Sequence, residues 1–318
     1  MIPKAGRQWE SRGKLHRFPG FSEMPTRRNP MCTEKMEADR DRAGMPVARR
    51  SFAALAGAGA LMAALPARAI AGKPVKGRDV SITTADGICD AYFVAPTEDK
   101  HPGVIVWPDI RGLRPAFRQM AERLAGDGYA VLCVNPFYRW QKAPVVDAEN
   151  HWGVAAVREK LFGYLKQLSR PLVETDAAAH LAFLDAQGEV DTARGIGTSG
   201  YCMGGPMTIY TAALKPGRVR AAASFHGASV ATDKPDSPHL LIPASKAGYL
   251  FAIAEDDDKE SPNEKVLLKS VLEPRPEWHE VEVYPAQHGW CPPDGRVYDE
   301  AAAEKAWSRQ LALFKASL

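Results

Sequence analysis

The sequence has no C-x-x-C pair. Its five cysteines, Cys32, Cys89, Cys133, Cys202 and Cys291, stand far apart. That spacing lacks the usual zinc and dithiol redox signatures, so no metal or cofactor is expected. No apolar stretch reaches the roughly 20 residues that cross a bilayer, so no membrane span is expected in the mature protein. Basic side chains are scarce where a nucleic-acid surface would need them. The formal net charge is +3, but residues 1–71 carry 13 basic and 6 acidic side chains, leaving 28 basic and 32 acidic in 72–318. A slightly acidic body argues against a nucleic-acid partner. Hydrophobic residues at 45% and charged residues at 25% exclude disorder of the whole chain.

The basic excess sits in a leader. Arg49-Arg50 and Ser51-Phe52 open an Ala/Gly/Leu-rich run to Leu65, closed by Pro66-Ala67-Arg68-Ala69-Ile70-Ala71. A positive start, a short apolar middle and a small-residue exit define a secretory signal. The paired arginines make it the twin-arginine type. A buried Ala-rich helix fits less well, because Gly57, Gly59 and Pro66 weaken a helix interior. Residues 1–44 mix Pro, Arg and Gly without periodicity. They are read as a disordered or untranslated extension, with Met36 or Met45 as alternative starts. Residues 45–71 are read as the signal peptide and 72–318 as a single domain. The expected location is periplasmic or secreted.

Within the body, strand and helix patterns alternate. "RDVSITTADGICDAYFVAP" predicts two strands about a turn at Asp86-Gly87. "GVIVWPD" and "AVLCVNP" are short apolar runs suited to strands buried on both faces. Between them Phe117, Met120, Ala121 and Leu124 recur at helical spacing. Helices are predicted over 154–168, 172–185, from Cys202 to Leu214, and at the C-terminus. "RGIGTSG", "VRAAASFHG", "GYLFAIA" and "EVEVYP" supply further strands. Such alternation predicts an α/β fold with a mostly parallel central sheet and helices on both faces.

Gly200-Tyr201-Cys202-Met203-Gly204 is G-x-C-x-G between a strand and a helix, a cysteine version of the nucleophile elbow. The glycines leave room for a tight turn. The following helix start favours a thiolate at Cys202, and the Met203 N–H is a candidate oxyanion donor. Of eight histidines, His288 alone lies just past the last strand, in "AQHGW". With the chain order nucleophile, acid, base, the acid belongs in the loop "EDDD" after "YLFAIA". Asp257 is favoured there and Asp256 is the alternative.

These motifs resemble the dienelactone hydrolase family of α/β-hydrolases. "GYCMGG", "AEDD" and "HGW" match its nucleophile, acid and histidine turns, and "VIVWPDIRGLRPAFRQMAERLAGDGYAVLCVNPFYR" its first core segment. The resemblance implies the α/β-hydrolase fold and a Cys202–His288–Asp257 triad. It also implies cleavage of a small ester or lactone through an acyl-enzyme, and an Ile110 N–H as the second oxyanion donor. Asp109, Tyr201, Arg158 and Trp290 are expected to line the site. Asp109 stands where dienelactone-cleaving members carry a glutamate, one methylene longer. Pro292 stands where they carry one of two substrate-binding arginines, and Arg158 corresponds to the other. Two alternatives are a thiol redox or sensor protein that uses Cys202, with Cys291 as a candidate partner, and a non-catalytic binding protein on a hydrolase scaffold.

Overall fold

Gly103–Trp107 and Ala130–Val134 carry no charged residue, and each is buried along its whole length. They are the centre of an eight-stranded sheet. The computed structural model describes residues 72–318 except Asn150. The extension and signal peptide read from 1–71 lie outside the described residues. The strands are β1 Val75–Thr84, β2 Gly87–Pro96, β3 Gly103–Trp107, β4 Ala130–Val134, β5 Ile196–Tyr201, β6 Val219–Phe225, β7 Gly248–Ala254 and β8 His279–Tyr284. Their order across the sheet is β1-β2-β4-β3-β5-β6-β7-β8. β1 and β2 form an antiparallel hairpin, and β2 runs antiparallel to β4. Every later pairing is parallel.

The helices are α1 Pro115–Gly126, α2 Ala155–Gln167, α3 Arg170–Asp185, α4 Gly204–Leu214, α5 Glu255–Glu260, α6 Asn263–Leu272 and α7 Glu300–Ser317. Alternation along a strand sends neighbouring side chains to opposite layers. Val104 and Val106 of β3 pack with Phe117 and Leu124 of α1 and Leu313 and Phe314 of α7. Ile105 and Trp107 of the same strand pack with Leu161, Leu181, Leu184 and Ile209 from α2, α3 and α4. The entry of α7 is fixed by Asp299, whose Oδ1 accepts the Ala302 N–H at 2.9 Å. An N-cap of this kind stabilises a helix by about 1 kcal/mol. Among the described residues no helix is long and apolar enough to cross a membrane.

The chain runs from β3 to β4 on one side, then returns to place β5 on the other. The carboxyl ends of β3 and β5 therefore flank a switch point, where α/β sheets open a crevice. Two features differ from expectation. The acidic run after β7 is not a loop but the first turn of α5, where four carboxylates complement the helix N-terminus. A 3-10 turn at Pro238–Ala244 and helix α6 have no strong periodic signal in the sequence. Cys291 does not share a layer with Cys202: it packs among α1 and α7, whereas Cys202 packs against the opposite layer, and both thiols are free. The loop between His288 and Cys291 turns at Gly289, with φ +95°.

Candidate active site

Cys202 follows β5 with φ +54°, a left-handed conformation that ordinary side chains disfavour. Strain of this type costs about 1–3 kcal/mol and persists only when surroundings fix it. The Cys202 N–H donates to Phe225 O at 3.1 Å, and its carbonyl accepts from Gly205 N–H and Ala228 N–H, both at 3.0 Å. Two glycines permit the turn. A Cβ on Gly200 would lie 2.0 Å from Gly204 O, and one on Gly204 would lie 2.4 Å from Trp107 O. The half-buried thiol thus stands at the entrance of α4.

His288 stands beyond β8, held by two adjacent carboxylates with separate tasks. Its ring Nδ1–H donates to Asp257 Oδ2 at 2.7 Å. Its backbone N–H donates to Asp256 Oδ1 at 2.9 Å. The same Asp256 oxygen accepts the Asp257 N–H at 3.1 Å, so Asp256 fixes the backbone of both partners. The Cys202 sulfur lies close enough to the ring to act on its charge. Burial by itself would strip the proton from His288, but the nearby Cys202 sulfur and the Asp257 carboxylate outweigh it and hold the imidazole well above its usual range. The structure therefore joins His288 to Asp257 by a hydrogen bond and places Cys202 beside the same ring.

Beneath His288 lies His226, fully buried at the end of β6 with φ +38°. Its ring meets His288 edge-on at 5.0 Å between centroids, and Trp290 likewise at 5.1 Å. Burial, then the charge on His288, push its pKa well below the usual range, so it is a neutral support for the ring above. Trp290 stacks on Tyr284 at 5.3 Å. Fully buried, Trp290 supports the histidine loop from below rather than lining the site as expected. Tyr201 likewise turns away from it, stacking on Phe225 at 4.9 Å in the α1/α7 layer.

On the other side of Cys202, the β3–α1 loop carries Asp109 and Ile110. Arg114 grips the Asp109 carboxylate with two bonds of 2.7 and 2.9 Å, and the Arg111 N–H adds a third at 2.8 Å. Arg114 also bonds Asp294 at 2.6 and 2.9 Å, and Arg111 reaches Asp294 at 3.1 Å. Asp294 belongs to the loop that follows His288. The ion cluster therefore ties the β3–α1 loop to the histidine loop. Burial alone would raise the Asp109 pKa, but Arg114 and Arg111 reverse that and hold it below the usual carboxylate value. Among the described residues, neither the Met203 nor the Ile110 amide donates to a backbone carbonyl. Both remain available to an oxyanion.

Arg158 lies in the first turns of α2, and its guanidinium donates to the carbonyls of Trp152 and Gly153 at 2.9 and 3.0 Å. Its bonds are thus to its own loop. Glu264 at the start of α6 is buried, and its carboxyl is pushed up to about 8, first by burial and further by Asp257 and Asp258. The supporting roles of His226, Asp256, Arg114, Asp294 and Glu264 are not evident from the sequence. Two of them carry a signal, His226 as a histidine in "SFHG" just past a strand and Asp256 as the alternative acid in "EDDD".

An elbow, an acid and a histidine at the carboxyl edge of a mostly parallel sheet define an α/β-hydrolase. The chain belongs to the dienelactone hydrolase family, whose model matches residues 89–318. It is accordingly a hydrolase acting on ester bonds. It is 26% identical to carboxymethylenebutenolidase 1 of Cupriavidus pinatubonensis over 236 residues, covering 74% of this chain and 94% of that protein. It is 23% identical to the carboxymethylenebutenolidase of a Pseudomonas species, over 71% of this chain and 89% of the relative. The fold is shared with a dienelactone hydrolase-like promiscuous phosphotriesterase from metagenomic libraries, at a TM-score of 0.63 and 23% identity, covering 77% of this chain and 99% of that one.

Proposed function

We propose that the chain hydrolyses small carboxylic esters or lactones with Cys202 as nucleophile, His288 as proton shuttle and Asp257 as the group that orients and stabilises the imidazolium. The observation that carries this reading is the His288–Asp257 hydrogen bond of 2.7 Å, with the elbow cysteine Cys202 beside the same ring. His288 takes the thiol proton as the sulfur attacks the carbonyl carbon and forms an S–C bond. The oxyanion is received by the Met203 and Ile110 N–H groups. The C–O bond to the leaving group then breaks as His288 gives its proton to that oxygen. Water attacks the thioester, His288 takes the water proton, the S–C bond breaks, and the thiol–imidazole pair is restored.

In this reading Asp109 is a structural anion, since Arg114 and Arg111 occupy its carboxylate. Pro292 and the locally engaged Arg158 leave little to clamp a substrate carboxylate, which supports neutral esters as the substrate class. The separation of Cys291 from Cys202 into different layers weighs against a redox pair. The test is turnover of p-nitrophenyl acetate with and without iodoacetamide. Expected are loss of turnover on alkylation and an acetyl mass shift on the Cys202 peptide in rapidly quenched samples. Undiminished turnover by Cys202→Ala would refute the proposal.

The leader supports a further part of this reading. We infer export by a twin-arginine route to the periplasm or beyond, on the strength of Arg49-Arg50 and the short apolar run after them. Replacing both arginines with lysine is expected to hold the protein in the cytoplasm on cell fractionation. Unchanged export would overturn the inference.

A further inference from the structure

A second cavity, of about 200 Å³, opens in the other layer of the molecule, between α1, α7 and the loop after His288. Cys202, His288 and Asp257 are not among the residues that line it. Its walls are largely apolar: Met120 of α1, Phe225 at the end of β6, Pro293, and Ala303, Ala306 and Trp307 of α7. Tyr201 and Cys291 also face it.

Tyr201 is 3% exposed, and its hydroxyl has no hydrogen-bond partner among the described residues. The hydroxyl is not sealed from solvent as the orphaned Tyr284 hydroxyl is, so its open side is the cavity. By contrast, Tyr92 bonds Glu122 and Tyr138 bonds Asp176, both at 2.7 Å. A hydroxyl that faces the cavity without a protein partner is free to hydrogen-bond a ligand oxygen placed against it.

The cavity offers no free charge. Arg123 spends both Nη groups on the Glu304 carboxylate, at 2.6 and 2.7 Å, and lies 4.3 Å over the Trp307 ring. Burial keeps the proton on the Cys291 thiol and, with Cys291 beside it, on the Tyr201 phenol. An anionic ligand would find no unpaired cation. A dry apolar cavity of about 150 Å³ accepts benzene, so this one has room for a substituted single ring. We propose that the cavity binds a neutral monocyclic phenol, its ring between Met120, Phe225 and Trp307 and its oxygen on the Tyr201 hydroxyl. The occupant sits beneath both catalytic loops, since Tyr201 immediately precedes Cys202 and Cys291 follows His288 by three residues.

Cys291 gives the readout. In the full-length Cys202→Ala protein, its modification by methyl methanethiosulfonate is followed by peptide mass spectrometry, which separates it from Cys32, Cys89 and Cys133. Added p-cresol is expected to slow modification of Cys291 saturably. Toluene, of the same shape but without the hydroxyl, is expected to protect about fivefold less well at equal concentration, the worth of one neutral hydrogen bond. Tyr201→Phe should erase that difference, and Ala303→Leu, which fills the cavity from α7, should remove protection by both. No saturable protection, or a p-cresol preference that survives in Tyr201→Phe, would overturn the proposal. Because Cys202 is absent from the assayed protein, the outcome is independent of its role as nucleophile.

Discussion

On the acid side of Cys202, Asp257 and His288 keep 22% and 28% of their side-chain surface exposed. On the oxyanion side, Asp109 and Arg114 keep 10% and 3%. Both regions pair a carboxylate with a nitrogen cation at 2.7 Å. They differ in what the pair can do. In the proposed mechanism His288 gains and loses a proton within reach of water and of the Cys202 sulfur. Arg114 cannot lose its proton, so its pair can only hold shape. One pair serves chemistry and the other geometry, and burial with the choice of cation separates them.

The pH dependence of the two should therefore run in opposite directions. His288 has a raised folded pKa. Its contribution to stability is complete below the unfolded value of about 6.5 and is lost as pH rises through the folded pKa. Asp109 has a lowered folded pKa. Its contribution is present above the unfolded value of about 3.9 and is lost only as pH falls through the folded pKa.

The largest expected effect separates the adjacent aspartates. Asp257→Asn removes the charge that stabilises the imidazolium and can turn an amide NH₂ toward His288 Nδ1, favouring the wrong tautomer, and should lower kcat by about 10²- to 10⁴-fold. Asp256→Asn keeps an amide oxygen that can still accept the His288 backbone N–H, so a loss of about tenfold or less is expected. Steady-state kinetics on p-nitrophenyl acetate measure both. The reverse order of losses would exchange the roles of the two residues.

Next in size is the sealed pair. Arg114→Met leaves the Asp109 carboxylate buried without its main counter-charge, which costs about 3–5 kcal/mol at such sites. Urea denaturation should show that loss. Asp109→Asn should cost less, because the amide retains part of the hydrogen bonding. A change below about 1 kcal/mol in Arg114→Met would mean that Asp109 finds other support and that the two regions are less different than their burial suggests.

Much of the architecture is legible from local pattern, and the reason is visible in the elements. β3 and β4 are apolar throughout because they are buried on both faces, and α1 repeats Phe117, Ala121 and Leu124 because one face meets the sheet. The elbow is legible because its glycines answer a steric demand that reaches only a few residues along the chain. What escapes is long-range. Arg114 and Asp294 are 180 residues apart, and nothing near either one announces the other. α6 has only Glu264, Leu268 and Leu272 buried, too sparse a stripe to stand out. Asp256 and Asp257 are chemically alike, and only the direction of the first turn of α5 assigns one to the ring and the other to the backbone.

A smaller effect belongs to Glu264, which stands against the acid side from α6. Its folded pKa, pushed up to about 8, exceeds the unfolded value of about 4.3. A raised pKa means that the folded protein binds this proton more tightly. The stabilisation is complete below the unfolded value and is lost as pH rises through about 8. Glu264→Gln cannot ionise, so its Tm should fall less than that of the wild type between pH 7 and pH 9. Parallel curves would show that another group governs the alkaline loss.

The smallest effect is expected at Arg158, and it bears on substrate charge. A cation that reads a substrate carboxylate must offer donors not already committed. Arg158 has one Nη on the carbonyls of Trp152 and Gly153, which fixes the direction of the guanidinium. The second cation of a clamp is missing, since Pro292 carries no charge. The nearest arginines on the oxyanion side, Arg111 and Arg114, are paired with Asp109 and Asp294. Neutral esters should therefore be turned over at least as well as lactones that carry a carboxylate. Arg158→Ala should change the ratio of the two kcat/KM values by about threefold or less, the size of a weak, solvent-screened contact. Matched neutral and anionic substrates decide the matter. A strong preference for the anionic lactone, lost in Arg158→Ala, would show that the guanidinium leaves its loop to meet the substrate and that the charge on this side of the site is mobile rather than locked.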